Sequence, residues 1–374
     1  MRHRSRKRWL SILWCAATAC LAPLPDSPNA ARPKIVPPQA SIQVGDTFRF
    51  QIWANPSSPS GSTPSKEGGH WRVSDTMIAG IGTGSGLVTG RRPGVTTVFA
   101  TIQSATASAE LDVAPPVLVG AGDIAACASG GAQVTAALLD GISGTVFTAG
   151  DNAYEHGTYD EFIRCYDPSW GRHRARTRPA PGNHEYVTPG AAGYFQYFGD
   201  AAGDPSRGYY SYDLGNWHIV VVNSSSDVRQ GSPQERWLRA DLAAHPAPCT
   251  VAYWHFPRFS SGFQGNHAEM QPIWQALYDA GADVVVSGHD HDYERFAPQT
   301  PSGSPDAARG IREFVVGTGG KSLLGFNSSA ASSEVRDNST FGVLVLKLYN
   351  DRYEWEFVPA RPGGFTDAGG NRCH

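Results

Sequence analysis

The feature that most constrains this chain is a set of five short segments, each ending in residues able to bind a metal ion. Val117-Leu-Val-Gly-Ala runs into Gly122-Asp123, and Thr145-Val-Phe-Thr-Ala runs into Gly150-Asp151-Asn152-Ala153-Tyr154. A Pro-rich approach ends in Gly182-Asn183-His184-Glu185. Residues 250–254 run into His255, and residues 283–287 into Gly288-His289-Asp290-His291. In α/β sheets, ligands gather beyond the carboxyl ends of strands, and neighbouring strand ends lie about 5 Å apart. Side chains far apart in sequence can therefore surround one small volume. Residues 217–223 and 313–317 read as further buried-type strands. Helix-like patterns at 132–139, 233–244 and 268–280 alternate with these strands, which predicts an α/β sheet. Residues 340–358 read as a hairpin turning at Asn350-Asp351, so the sheet is expected to be mixed.

The donor inventory suits two cations. Carboxylate and amide oxygens with imidazole nitrogens favour iron, manganese or zinc, and one carboxylate can bridge ions about 3.5–4 Å apart. Taken singly, each segment is weak, because a lone Asp after a strand is more often a cap or turn residue. The order and completeness of the set carry the reading. No Gly-x-Ser-x-Gly elbow is present, which argues against a serine hydrolase.

A chain of 374 residues with 40% hydrophobic content suits two domains. Arg2, Arg4, Arg6, Lys7 and Arg8 precede an apolar run from Trp9 to Ala22, the layout of a secretory signal. Residues 1–22 are therefore expected to be an export segment and 23–33 a linker. Cys20 follows a small-residue pattern and leaves a lipoprotein open, so the expected location is secreted or cell envelope. Removing five positive charges and no acid takes the formal net charge from -3 to -8. That balance is not built to neutralise nucleic-acid phosphates. Four cysteines lie downstream, and export predicts two disulfides among three possible pairings. Cys127–Cys165, between two loops flanking the candidate site, and Cys249–Cys373, fastening the C-terminal tail, are favoured.

Residues 34–114 read differently, as short strands separated by Gly turns and a polar loop over 55–70, which predicts a β-sandwich. The Gly-x-Gly at Gly82-Thr83-Gly84 lacks the strand–helix unit of a dinucleotide site. Ala114-Pro115-Pro116 is a stiff linker, and a catalytic domain is expected over 117–374. The basic stretch of Trp170, Arg172, His173, Arg174 and Arg176 is read as a solvated loop, with attraction of anionic substrate as the alternative.

The five segments, reading GDIA, GDNAY, GNHE, AYWH and GHDH, resemble the ordered motifs GDxG, GDxxY, GNH(D/E), VxxH and GHxH of purple acid phosphatases. These are a branch of the calcineurin-like metallophosphoesterases, and the extension "GHDHDYER" is similar to that family's last motif. The resemblance covers about residues 117–358 and implies central mixed β-sheets flanked by helices. It implies one metal on Asp123, Asp151, Tyr154 and His291, and a second on Asp151, Asn183, His255 and His289, with Asp151 as the bridge. Iron paired with zinc, manganese or a second iron is the implied cofactor. His184 is implied as general acid or phosphate donor, and His267 and Arg258 as substrate contacts. Two positions depart from the pattern. Ala125 stands where the family usually has Gly and wider relatives a His ligand, and Ala252 replaces Val. The strings "VGDTFRF", "WRVSDTMIAGI", "GLVTG" and "GVTTVFAT" resemble a bacterial group-two immunoglobulin-like domain, a type similar to spacers or adhesion modules. Together these imply an exported hydrolase of small phosphate monoesters in which a metal-activated hydroxide attacks phosphorus. A phosphodiesterase on the same site is an alternative. So is a surface adhesion protein with a vestigial enzyme domain, contacting the cell surface through the immunoglobulin-like module. Oligomeric state is left open.

Overall fold

The computed structural model describes residues 33–53 and 69–374. The export segment over 1–22, the linker as far as residue 32 and most of the polar loop over 55–70 lie outside the described residues.

Among the described residues of 34–114, every regular element is a strand. Gln39–Gln43, Ala105–Ala114, Gly94–Ile102 and His70–Val73 make a four-stranded sheet in that order, and Thr47–Arg49, Leu87–Gly90 and Ala79–Ile81 make a three-stranded one. Lys34–Val36 pairs with Gln51–Trp53. The long hairpin alternates as a half-buried sheet demands. Thr96, Val98 and Ala100 on one strand, and Ala107, Ala109, Leu111 and Val113 on the other, are buried. Phe50, Ile52, Trp71 and Val88 close the core from the other strands.

From Val117 onward, two larger sheets dominate. The first has six strands in the order Thr177–Ala180, Thr145–Ala149, Val117–Ala121, Gly342–Leu348, Arg352–Pro359 and Asp367–Arg372. The second has seven, in the order Tyr210–Leu214, Trp217–Val221, Cys249–Tyr253, Val284–Ser287, Arg312–Val316, Tyr293–Phe296 and Ser333–Asp337. Each combines parallel pairs with antiparallel ones, as the mixed-sheet expectation required.

The central strands of the seven-stranded sheet are apolar on both faces because both are covered. Ile219, Val221, Val251, Tyr253, Val284 and Val286 belong to the core shared with the six-stranded sheet. Their neighbours Val220, Ala252 and Val285 face the other way, against Leu238, Ile273, Trp274 and Leu277 of two helices. The first of these helices, Pro233–Ala244, starts where its sequence says it should. Ser232 accepts from the Glu235 amide, and Pro233 occupies the first turn. The expected helix over 268–280 is a short 3-10 turn, Ala268–Met270, followed by Gln271–Asp279, with Pro272 in its first turn. Helix Gly131–Gly141 packs on the first sheet through Gly342–Leu348. Both favoured disulfides are present, Cys127–Cys165 and Cys249–Cys373. The second joins the start of a strand in one sheet to the end of a strand in the other.

Candidate metal centre

The carboxyl ends of strands from both sheets meet at one place. Val117–Ala121 and Thr145–Ala149 are adjacent and parallel, and deliver Asp123 and Asp151 side by side. Thr177–Ala180, parallel to the second of these, delivers Asn183 and His184. From the facing sheet, the parallel strands Cys249–Tyr253 and Val284–Ser287 deliver His255 and His289. Backbone conformation aims the ligands. Asp123, Asp151 and His289 adopt φ of 61°, 49° and 70°, a left-handed region that non-glycine residues rarely enter. Gly150 has φ of +79°, and a Cβ there would lie 2.6 Å from the His255 ring. A Cβ on Gly182 would lie 2.2 Å from Asp151 Oδ1. The close approach of these loops needs both glycines.

The side chains then converge. The Tyr154 hydroxyl lies 2.7 Å from Asp123 Oδ1, 3.0 Å from Asp151 Oδ2 and 3.4 Å from His291 Nε2. His291 Nε2 is 3.2 Å from Asp123 Oδ1. His255 Nε2 is 3.0 Å from Asn183 Oδ1, 3.2 Å from Asp151 Oδ2 and 3.2 Å from His289 Nδ1. The seven residues Asp123, Asp151, Tyr154, Asn183, His255, His289 and His291 therefore form one continuous cluster, and Asp151 touches both halves. Asp123, Asp151 and His255 present ligand atoms all within 4.8 Å of one another.

The chemistry of this donor set tests whether cations fit. His255 Nδ1 donates to the Ala149 carbonyl at 2.8 Å, which leaves Nε2 as the nitrogen turned inward. There it faces an amide oxygen, a carboxylate oxygen and another imidazole nitrogen, all able to accept. His291 is oriented likewise, with Nδ1 2.7 Å from Ser322 Oγ. Converging acceptors in a buried place need positive charge among them; protons on His255 and His291 supply it where no cation is bound, and two cations displacing those protons would suit the same donors. Such outer partners on ligating imidazoles fix the ring and its tautomer.

Electrostatics agree. Burial alone would raise Asp123 and Asp151. The imidazoles facing them, His291 for the first and His255 with His184 for the second, overcome it and hold both carboxyls below the usual range. Burial, then the two carboxylates, push the Tyr154 phenol well up. A cation beside the phenol oxygen reverses that balance and favours phenolate. Burial and the neighbouring His255 pull His289 down to about 3, which keeps it a neutral donor. His255 rises to about 9, because Asp151 and Asp123 outweigh its burial.

The other expected residues are placed as follows. His184 is partly exposed at the rim, its ring 4.4 Å from that of Tyr154. Its Nδ1 donates to the Glu155 carbonyl at 2.6 Å, and Nε2 is 3.8 Å from Asp151 Oδ2. His267 stacks on Phe256 and meets His289 edge-on, with ring centroids 4.5 and 4.9 Å apart. Its Nδ1 is 2.7 Å from Glu269 Oε1, while its Nε2 is buried without a hydrogen-bond partner. Arg258 departs from expectation. Its guanidinium donates to the Pro301 carbonyl and lies over the Phe259 ring, with no hydrogen bond to the cluster. The basic stretch is structural too: Arg172 and His173 pair with Asp140, and Arg176 donates to the carbonyls of Gly144 and Leu139.

Two residues escaped the sequence reading. Glu185, fully buried, accepts from the amides of Asn152, Ala153 and Gly182 at 2.8, 3.3 and 2.7 Å. It clasps the Asp151 loop to the Asn183 loop, and its place inside the Gly-Asn-His-Glu segment was the available signal. Lys321 stands 4.5 Å above the Tyr154 ring, and its amide donates to the Asp123 carbonyl. Nothing in the flanking sequence marks it.

Comparison with known proteins agrees with this geometry. Residues 117–293 match the family described as calcineurin-like phosphoesterase. Purple acid phosphatase 22 of Arabidopsis thaliana is 37% identical over 160 residues, covering 40% of this chain and 36% of that protein. Purple acid phosphatase 18 of the same plant is 32% identical over 130 residues, covering 32% and 29%. The chain thus spans about a third of the length of these relatives. A purple acid phosphatase from yellow lupin (Lupinus luteus) seeds shares the fold with a TM-score of 0.57, at 16% identity, covering 90% of this chain and 73% of the lupin chain. Residues 117–293 are therefore similar to the calcineurin-like phosphoesterases, and purple acid phosphatases are among the proteins this chain resembles.

Proposed function

We propose that this protein is an exported phosphatase that hydrolyses small phosphate monoesters on a two-metal centre. The observation that carries the reading is the convergence of seven donor side chains at the strand ends of two facing sheets. Asp123, Asp151, Tyr154 and His291 would hold one cation, and Asp151, Asn183, His255 and His289 the other. Bound there, the pair would polarise phosphoryl oxygens and acidify a water. The chain's own residues do the rest. His184, fixed through Nδ1, presents Nε2 at the rim as proton donor to the leaving alkoxide. His267, anchored by Glu269 and Phe256, has an unpartnered Nε2 able to bond a phosphoryl oxygen. Arg258 is left out of the substrate site.

Iron is the proposed occupant beside Tyr154, since a phenolate is a hard anionic donor. Export is supported by two disulfides, which persist in oxidising compartments. No helix among the described residues is long and apolar enough to cross a membrane. The all-β region over 34–114 we read as an immunoglobulin-like spacer ahead of a catalytic domain over 117–374. Elemental analysis, a visible spectrum, and rates on 4-nitrophenyl phosphate and bis(4-nitrophenyl) phosphate test the proposal. Two metals per chain, a tyrosinate–iron band and preference for the monoester are expected. Absence of metal-dependent turnover on both esters would refute it, and preference for the diester would move the substrate class.

A further inference from the structure

A second group of metal-type ligands lies at the opposite end of the strands of the seven-stranded sheet, on Trp217–Val221, next to its edge strand. His218 is the second residue of strand Trp217–Val221 and is 1% exposed. It pairs in register with Thr250, five residues before His255, and so sits roughly 17 Å from the strand-end cluster. His218 Nε2 is 2.8 Å from Asp241 Oδ2, and His218 Nδ1 is 3.0 Å from Asp213 Oδ1. Asp241 Oδ1 accepts from the Ser211 hydroxyl at 2.9 Å and lies 3.3 Å from His245 Nδ1. His245 Nδ1 also lies 2.9 Å from the Asp241 carbonyl. The two imidazoles are nearly parallel, with centroids 4.9 Å apart. One ligand atom from each of His218, Asp241 and His245 can be chosen so that all lie within 4.8 Å of one another.

We propose that His218, Asp241 and His245 bind a divalent transition-metal ion, with zinc the best match to two imidazoles and one carboxylate. Three features support a site rather than a simple ion pair. Asp241 and His245 stand one helical turn apart at the end of Pro233–Ala244, facing His218 on the neighbouring strand. Each of the two buried ligands already has an outer partner, Asp213 on the free nitrogen of His218 and Ser211 on the free oxygen of Asp241. That arrangement is the one that orients ligating imidazoles and carboxylates in metal sites. Lastly, His245 lines an open cavity of about 400 Å³ together with Arg92, Asp213, Trp217 and Pro246, so the cluster borders solvent-accessible space. An imidazolium held between Asp213 and Asp241 would need no His245, so that residue separates the two readings.

The test uses the full chain with the metals it carries on purification. Wild type, His245→Ala and Asp213→Asn are equilibrated with zinc chloride, passed through gel filtration and analysed for metal content. Wild type is expected to retain one zinc equivalent more than His245→Ala, and zinc to raise the melting temperature of wild type more than that of His245→Ala. Asp213→Asn is expected to bind that equivalent about 10–100-fold more weakly. His245 is about half exposed, so its replacement leaves the fold intact, and hydrolysis of 4-nitrophenyl phosphate should be unchanged. Equal zinc in wild type and His245→Ala overturns the proposal whatever the strand-end centre contains.

Discussion

The Cys249–Cys373 disulfide offers a sharp test of how stability and the site are separated in this fold. It closes a loop of 124 residues and joins the start of a strand in the seven-stranded sheet to the end of Asp367–Arg372 in the six-stranded one. Its Cα atoms are 5.6 Å apart, within the ordinary span of a disulfide. The chain-entropy relation for a loop of that length gives about 5 kcal/mol of stabilisation, acting on the unfolded state. Yet Cys249 is at the far end of its strand from His255, and all seven clustered ligands are positioned by other contacts. Replacing both cysteines by Ala should therefore lower the free energy of unfolding by roughly 2–5 kcal/mol while leaving metal content and turnover at 25 °C within about twofold of wild type, since no cluster contact is removed. Guanidinium unfolding with a check for an unchanged m-value, alongside elemental analysis, reads both. An unaltered unfolding midpoint, with the bridge shown intact in wild type by thiol titration, would refute the cross-sheet staple. Loss of metals in the folded variant would refute the separation.

Other predictions bear on the site. Glu185→Gln places an amide donor against one of three backbone donors, and metal affinity should fall about 10–100-fold, measured by dialysis against a chelator. His184→Ala should lower kcat by about 100- to 10,000-fold with metal content unchanged by elemental analysis, and unchanged turnover would remove its role. Tyr154→Phe should abolish the visible charge-transfer band, and a band that survives would show that the phenolate is not a ligand. Glu313 is raised to about 8, burial outweighing the bonds from the Phe259 and Arg258 amides. The folded state thus holds its proton more tightly than the unfolded one, and stability falls as pH climbs from about 4.5 toward 8. Glu313→Gln should flatten that slope in thermal melts taken across the range.

Much of this architecture could be read from residues alone, for identifiable reasons. Each clustered ligand follows a run of buried-type residues, and a strand buried on both faces writes that pattern directly. Helix Pro233–Ala244 has the expected bounds, and Ser232 and Pro233 supply the start signals there. What escaped lacks a local signature. Strand Asp367–Arg372, with the sequence DAGGNR, has no alternation and two glycines, which weaken strands on their own. It exists because Arg352–Pro359 offers it six register pairs. Helix Ala192–Phe198, with sequence AGYFQYF, is aromatic on most of its surface because Phe162 and Tyr166 pack against it, so its periodicity is blurred. Glu185 was visible, but its role depends on amides some thirty residues earlier. Arg258 misled because proximity in sequence to His255 says nothing about which way a long side chain turns.

The left-handed backbone at Asp123, Asp151 and His289 also bears on how such a protein can decay. Holding non-glycine residues in that region costs about 1 kcal/mol or more at each position, and glycine carries no such penalty. Exchanging any of the three for glycine would delete a cation donor and relieve conformational tension at the same stroke. At Asp123 and Asp151 the exchange would also strip the acceptor from the His289 and His184 amides, at about 1–3 kcal/mol each, so the same carboxylates that strain the loops also tie them down.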